Sequence, residues 1–169
     1  MKFKGTGVSA GIGIGRAVVV REVQAQIEKR SITRIEEELA LFQKSLDATK
    51  EETRRMVEDL EKNAGAKEAE ILQGHILLLQ DPMLVQEIEG RIRGDSLCAE
   101  YVITDVCDQY AAVFASMDDE LMQQRAADMR DLKGRLVKKI LGLEAVDVGA
   151  LPKGSILVAE DLTPSMTAG

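Results

Sequence analysis

The spacing of hydrophobic residues divides the chain into three stretches. Residues 1–22 alternate short β-type runs with glycines and end in the run Ala-Val-Val-Val at 17–20. From Thr33 the apolar positions recur every three or four residues, which is the period of an amphipathic helix. Beyond the turn-like residues 151–154, residues 155–159 form another short β-type run. The pattern therefore predicts strands, then helices, then a strand.

Start and stop signals divide the helical stretch into an antiparallel bundle of about four long segments. Residues 33–36, Thr-Arg-Ile-Glu, have the form of a capping box. Asp81-Pro82 introduces a kink, because Asp suits an N-cap and proline suits the first helical position. We expect residues 95–96 to cap the next segment and residues 118–120 to open the last, which ends near Gly142. The expected apolar faces are Ile32, Ile35, Leu39, Phe42, Leu46, Thr49, Thr53, Met56 and Leu60; Leu84, Ile88 and Ile92; Ala99, Ile103, Val106, Tyr110, Val113 and Met117; and Met122, Met129, Leu136 and Ile140.

These segments predict a mainly α protein, with the helical bundle over residues 30–143 inserted into a small α/β unit. That unit combines residues 1–22, read as two strands around a glycine-rich turn, with residues 145–169. Strands this short are unstable alone, so we expect the two ends of the chain to pair. Residues 165–169 have the composition of a first helical turn behind Thr163-Pro164, and we expect the unit to be truncated there.

Charge and composition exclude several functions. The net charge is −7, and no run of Lys or Arg exceeds two residues, so nucleic acid and anionic membranes are poor candidates. No apolar stretch reaches the length of a membrane span. The glycines of residues 11–15 lack the dinucleotide spacing and precede a strand-like run rather than a helix. An acidic face would favour a basic protein partner, although excess charge more often serves only solubility.

The two cysteines agree with a reducing cytoplasm. Cys98 and Cys107 lie in one predicted helix, and helical rise separates them by about 13 Å. This separation is too large for a disulfide. We therefore expect a cytoplasmic protein with free thiols.

Four segments, in this order, resemble enzyme I of the phosphoenolpyruvate:sugar phosphotransferase system. They are GVSAGIGIGRA at residues 7–17, GHILLLQDP at 74–82, RAADMRD at 125–131 and LVAEDLTPS at 157–165. Ala10 stands where the family usually has proline. The resemblance covers essentially the whole chain.

The resemblance implies a kinase that passes phosphate from phosphoenolpyruvate, through its own histidine, to the histidine-containing phosphocarrier protein for sugar uptake. The helical part would dock the carrier, and the α/β unit would bear the histidine. A separate carboxy-terminal barrel would bind phosphoenolpyruvate and magnesium and form the homodimer. Neither this barrel nor the family's Gly-Gly-x-Ser/Thr-x-His motif occurs in the 169 residues.

We therefore expect residues 145–169 to lack the histidine loop, and the chain alone to be an inactive monomer with no catalytic residue and no cofactor. Alternatives remain open. The parent enzyme could be the nitrogen-regulatory paralogue or a dihydroxyacetone-kinase phosphotransfer subunit. The chain could also be a helical scaffold that binds some other protein.

We predict a carrier-docking site that consists of Glu68, His75, Leu78, Asp81, Leu84, Arg125 and Asp128. Each has a plainer interpretation. His75, the only histidine, lies among aliphatic residues, where a structural role is the default. The leucines of residues 77–79 and Leu84 exceed one helix face, which fits either a helix buried on both sides or a partner groove.

The charged candidates are also open to two interpretations. Arg125 and Asp128 share a helix face with Met122 and Met129, a mixture that suits partner binding. They could instead form helical salt pairs with Arg130 and Asp131. Glu68, Glu70 and Asp81 could steer a basic carrier or serve only solubility.

Overall fold

The fold is mainly helical, as the sequence pattern predicts. A computed structural model describes residues 6–20, 26–63, 66–143, 148, 151–160 and 162–167, without the side chains of residues 63, 66–68, 164 and 167. Its elements are β1 (Arg16–Val20), α1 (Ile35–Asn63), α2 (Ala66–Leu79), α3 (Pro82–Asp95), α4 (Ala99–Ser116), α5 (Glu120–Leu141), β2 (Ser155–Ala159) and α6 (Pro164–Thr167). The predicted order of strands, helices and strand is therefore confirmed.

Most helix ends lie where the sequence places them. Asp81 caps α3 by accepting a hydrogen bond from the Met83 amide at 2.8 Å, and Asp119 caps α5 by accepting one from Met122 at 3.0 Å. Gly142 ends α5 in the left-handed conformation, with φ 64°, which glycine adopts without strain. These caps confirm the predicted kink at Asp81-Pro82 and the predicted limits of the last helix.

The predicted cap of α4 is wrong. Asp95 is the last residue of α3, and Ser96 ends that helix in the left-handed conformation. Cys98 occupies the N-cap position of α4 without a side-chain cap. Glu38 of α1 instead accepts the Ala99 amide hydrogen at 2.7 Å. Local sequence could not reveal this cap, because the acceptor comes from another helix.

The bundle contains two separate hydrophobic clusters. The large cluster joins the end of α2 to α1, α3, α4 and α5 and includes Phe42, Ile92, Ile103 and Leu132. The small cluster joins the end of α1 to the start of α2 and consists of Val57, Leu60, Ala69 and Leu72, with Met56 and Ile76 packed against it.

Buried polar side chains separate the two clusters. Along α1, Thr49 and Thr53 lie between the large-cluster residues and the small-cluster residues. Along α2, His75 lies between Leu72 of the small cluster and Leu79 of the large one. We call this set, completed by three side chains of α5, the polar layer. Its members are Thr49, Thr53, His75, Asp128, Asp131 and Arg135.

The two ends of the chain pair, as predicted. β1 and β2 form a parallel two-stranded sheet in which Arg16 is opposite Ser155 and Val20 is opposite Ala159. Of the two strands predicted within residues 1–22, the structure describes one, since residues 6–15 form no strand and residues 1–5 and 21–22 lie outside the described part. The helical turn predicted behind Thr163-Pro164 is present as α6.

Candidate functional site

His75 lies fully buried between two carboxylates of α5. Its Nε2 is 3.2 Å from Asp128 Oδ1, and its Nδ1 is 3.9 Å from Asp131 Oδ2. A carboxylate can only accept, so Nε2 donates to Asp128. Nδ1 has no hydrogen-bond partner among the described residues. With 0% exposure, this imidazole is out of reach of a phosphoryl donor, and its geometry is that of a structural histidine.

The two carboxylates also contact groups outside α2. Asp131 accepts hydrogen bonds from Ser165 of α6, from Oγ at 2.7 Å and from the backbone amide at 3.2 Å. Asp128 lies 3.6 Å from the Arg125 guanidinium. That guanidinium crosses α2 directly over Gly74, where any Cβ would collide with it. Glycine at this position is therefore what allows Arg125 to lie across the helix.

The rest of the polar layer joins α1 to α5. Arg135 donates from Nη2 to Thr53 Oγ1 and to Glu52 Oε2, both at 2.9 Å, and Lys139 lies 3.0 Å from the same Glu52 oxygen. Burial acts to raise the pKa of Glu52, but the hydrogen bonds from Arg135 and Lys139 outweigh it, so this pKa lies below its ordinary value. Glu52 is thus held in its charged form against α5.

Large apolar side chains are exposed at one end of the bundle. Leu77 is 65% exposed at the end of α2, Met83 71% at the start of α3, and Leu121 59% at the start of α5. We call these three residues, with Val113 and Met117 of α4, the apolar tip. Val113 and Met117 were predicted to be buried, and this is wrong. Val113 lies off the face through which Ala111 and Phe114 contact the large cluster, and Met117 lies beyond the last residue of α4.

Contacts between helices place the apolar tip at a single end of the bundle. The Tyr110 hydroxyl donates to Glu87 at 3.0 Å and Arg91 pairs with Asp105 at 2.6 Å. These two pairs show that α3 and α4 are antiparallel, so the start of α3 lies beside the end of α4. The contact of Arg125 with Gly74 brings the start of α5 to the last turns of α2. Exposed acids, Asp118, Asp119 and Glu120, follow directly after Met117.

The predicted docking residues occupy three kinds of place. Leu78 is half-buried against the large cluster, and the Arg125 side chain is 29% exposed, both near the apolar tip. Asp81 is half-buried as the cap of α3. Leu84, His75 and Asp128 are buried, so Leu84 and His75 present no surface to a partner. Glu68 belongs to α2, but its side chain lies outside the described residues.

Sequence reasoning missed part of the exposed surface. Met83 and Leu121 were assigned to no surface, although each lies off the apolar stripe of its helix. Met83 precedes the stripe of Leu84, Ile88 and Ile92, and Leu121 precedes Met122. A large apolar residue off the buried face was the available signal.

The described part of the chain lacks the residues for a metal site, a reactive thiol at Cys107 and a membrane-spanning helix. No three or more His, Cys, Asp or Glu side chains there are grouped to hold a metal ion. Burial raises the pKa of the Cys107 thiol to about 12, so it stays protonated. None of the described helices is both long and apolar enough to span a membrane.

Comparisons with known proteins agree with the family resemblance. The sequence profile described as "PEP-utilising enzyme, N-terminal" matches residues 4–125. The phosphoenolpyruvate-protein phosphotransferases of Staphylococcus carnosus (strain TM300) and Bacillus subtilis (strain 168) are 36% and 37% identical over 167 residues. Both alignments cover 99% of this chain and 29% of the relative. The chain thus spans less than a third of these curated relatives.

Two solved structures share the fold. An NMR solution structure of Enzyme I superposes with a TM-score of 0.83 at 35% identity, over 95% of this chain and 65% of that one. The N-terminal domain of Enzyme 1 - Nitrogen superposes with a TM-score of 0.72 at 24% identity, over 90% and 63%, and shows the fold alone. The resemblance to enzyme I is thereby confirmed, and the chain belongs to the family of PEP-utilising enzymes as their N-terminal domain.

Proposed function

We propose that this chain is the carrier-docking part of a cytoplasmic phosphoenolpyruvate-protein phosphotransferase of the sugar phosphotransferase system. In the full-length homodimer, phosphate would pass from phosphoenolpyruvate to a histidine outside this chain and then to the histidine-containing phosphocarrier protein. Residues 30–143 would be the docking subdomain, and residues 1–22 with 145–169 would belong to the subdomain that bears the histidine. Magnesium would be held by parts of the enzyme outside this chain, and the chain alone would be an inactive monomer.

The observation that carries the proposal is the apolar tip. Leu77, Met83 and Leu121 come from three helices and are each more than half exposed. A soluble domain rarely leaves large apolar side chains of several elements together in water unless they meet a partner. Docking would remove this apolar area from water and supply most of the binding free energy.

Charge supports a basic partner surface. The acids of residues 118–120 are exposed beside the apolar tip, and the chain carries a net charge of −7. Acidic side chains around an apolar centre accelerate encounter with a basic protein and orient it, while the apolar contacts slow its dissociation. Arg125, which pairs with Asp128 and lies over Gly74, adds one donor at this surface.

The contribution of this chain to catalysis would be positioning. Phosphoryl transfer between two histidines needs little from the protein beyond an in-line approach and electrostatic stabilisation. His75, the one histidine in the chain, is fully buried and would take no part in the transfer.

Calorimetric titration with purified carrier tests the proposal. We expect a dissociation constant on the order of 1–100 µM, as befits a transient complex. Leu121→Ala should weaken binding by about 5–10-fold, as loss of a central apolar contact does. Leu141→Ala is the matched control, because Leu141 is an exposed leucine at the other end of the same helix.

The outcomes separate the alternatives. Equal affinities for Leu121→Ala and Leu141→Ala would contradict docking at the apolar tip. No binding by the folded wild-type chain would favour the scaffold that binds some other protein. Tighter binding to the carrier of the nitrogen-regulatory system than to the sugar-system carrier would assign the parent enzyme to that paralogue.

A further inference from the structure

Three of the four segments that resemble enzyme I meet at one place. The segment 74–82 contributes His75, the segment 125–131 contributes Asp128 and Asp131, and the segment 157–165 contributes Ser165. Their helices are α2, α5 and α6. The docking proposal uses the exposed residues around this place and leaves its buried contacts without a role.

Buried polar side chains lie in a row from the surface to α6. Arg125 at the apolar tip pairs with Asp128, and Asp128 accepts a hydrogen bond from His75. His75 Nδ1 lies 3.9 Å from Asp131 Oδ2. Among the described residues, Asp131 accepts two hydrogen bonds, and both come from Ser165. We call the set of His75, Asp128, Asp131 and Ser165 the interlock.

In the interlock, the Asp131 carboxylate connects the bundle to α6 by accepting hydrogen bonds from Ser165. Asp131 is only 4% exposed, and a buried carboxylate without hydrogen-bond donors carries a large desolvation penalty. When Ser165 leaves, Asp131 loses the hydroxyl at 2.7 Å and the amide at 3.2 Å together. The folded bundle therefore favours the state in which α6 is docked.

The described side chains of α6 contribute little burial. It is four residues long, far below the length at which a helix is stable alone. Ser165 and Met166 are only partly buried. Directional hydrogen bonds fix a short segment in one orientation, which apolar contact alone does not do.

We propose that Asp131 and Ser165 are positioning residues, which hold α6 in a fixed place relative to the apolar tip. The position of α6 relative to a bound carrier rests on the proposed docking function. The interlock would then set where the phosphorylated segment begins with respect to the bound carrier.

Amide hydrogen exchange in the 169-residue chain tests the interlock without any partner. The Met166 amide, which donates to the Thr163 carbonyl at 3.0 Å, reports whether α6 is docked. Ser165→Ala should raise its exchange rate about 10-fold or more, since a hydrogen bond to a buried charged group is lost. Amides of Ile103 and Leu132 in the large cluster should keep the wild-type rate.

Ser165→Thr is the matched rescue, because it keeps the hydroxyl. We expect its Met166 exchange rate to stay within about 3-fold of wild type. An unchanged rate in Ser165→Ala would overturn the interlock. So would a Ser165→Thr chain that exchanges as fast as Ser165→Ala, because the hydroxyl would then have no role.

Carrier affinity separates the interlock from the docking proposal. Ser165 lies on α6 and outside the apolar tip, so Ser165→Ala should change the dissociation constant of the carrier by less than about 2-fold. A wild-type chain that binds no carrier would remove the docking proposal while the exchange result stood. A large loss of affinity in Ser165→Ala would overturn the assignment of Ser165 to positioning.

Discussion

The large cluster and the polar layer are both buried, but they hold the helices together in different ways. The large cluster consists of apolar contacts among α1, α3, α4, α5 and the end of α2. The polar layer consists of hydrogen bonds between particular side chains, such as His75 with Asp128 and Arg135 with Thr53. Apolar burial supplies most of the folding free energy. Polar pairs contribute less but fix the register and orientation of α1 and α2 against α5.

The largest expected effect is the loss of a side chain from the large cluster. Ile103 is fully buried in α4, so Ile103→Ala should lower the free energy of unfolding by about 3 kcal/mol. Val113→Ala, at an exposed position of the same helix, should change it by less than about 0.5 kcal/mol. Urea unfolding followed by circular dichroism measures both. Similar losses would mean that the end of α4 is as well packed as its middle.

A smaller effect is expected in the polar layer, where two threonines form a matched pair. Each donates to the carbonyl four residues earlier, Thr49 at 2.8 Å and Thr53 at 2.7 Å, but only Thr53 accepts from Arg135. Thr53→Val should therefore cost about 1 kcal/mol more in unfolding free energy than Thr49→Val. Equal losses in urea unfolding would show that Arg135 contributes through Glu52 alone.

The smallest effect is expected from Glu52, at the solvent edge of the polar layer. Its pKa is lowered on folding from the ordinary value of 4.5, so the ionised carboxylate stabilises the fold at pH values above 4.5. This contribution to the free energy of unfolding disappears as the pH falls through the lowered pKa. Because the side chain is 37% exposed, solvent screening keeps the contribution below about 1 kcal/mol. Urea unfolding of wild type and Glu52→Gln should differ at pH 7 and converge below pH 4.5; a constant difference down to pH 3 would contradict this.

The sequence predicted the large cluster better than the polar layer. Apolar spacing identified Phe42, Leu46, Ile88, Ile92 and Ile103 as core residues, because helical period is a local property. It also identified Thr49 and Thr53 as members of the buried seam, but gave no partner for them. Caps at Asp81 and Asp119 were predictable for the same local reason, whereas the cap of α4 came from Glu38, far away in sequence.

The candidate site was predicted least well, since it depends on contacts between distant residues. His75 and Asp128 are 53 residues apart, and Asp131 and Ser165 are 34 apart. Family resemblance selected His75, Arg125 and Asp128 but could not say which side chains reach the surface. The exposed positions Met83 and Leu121 follow from helix rotation, and a shift of one residue rotates a side chain by about 100°.

The parallel pairing of β1 with β2 also bears on how the protein is made. Contacts among α1 to α5 form within residues 35–141, whereas the sheet must bring residue 16 beside residue 155. Closing so long a loop is entropically unfavourable until the intervening chain is compact, so contacts close in sequence should form first. On the ribosome the nascent helices can therefore assemble before β2 has been synthesised. The first strand must wait for its partner, and its exposed apolar edge is then the segment most in need of protection by a chaperone.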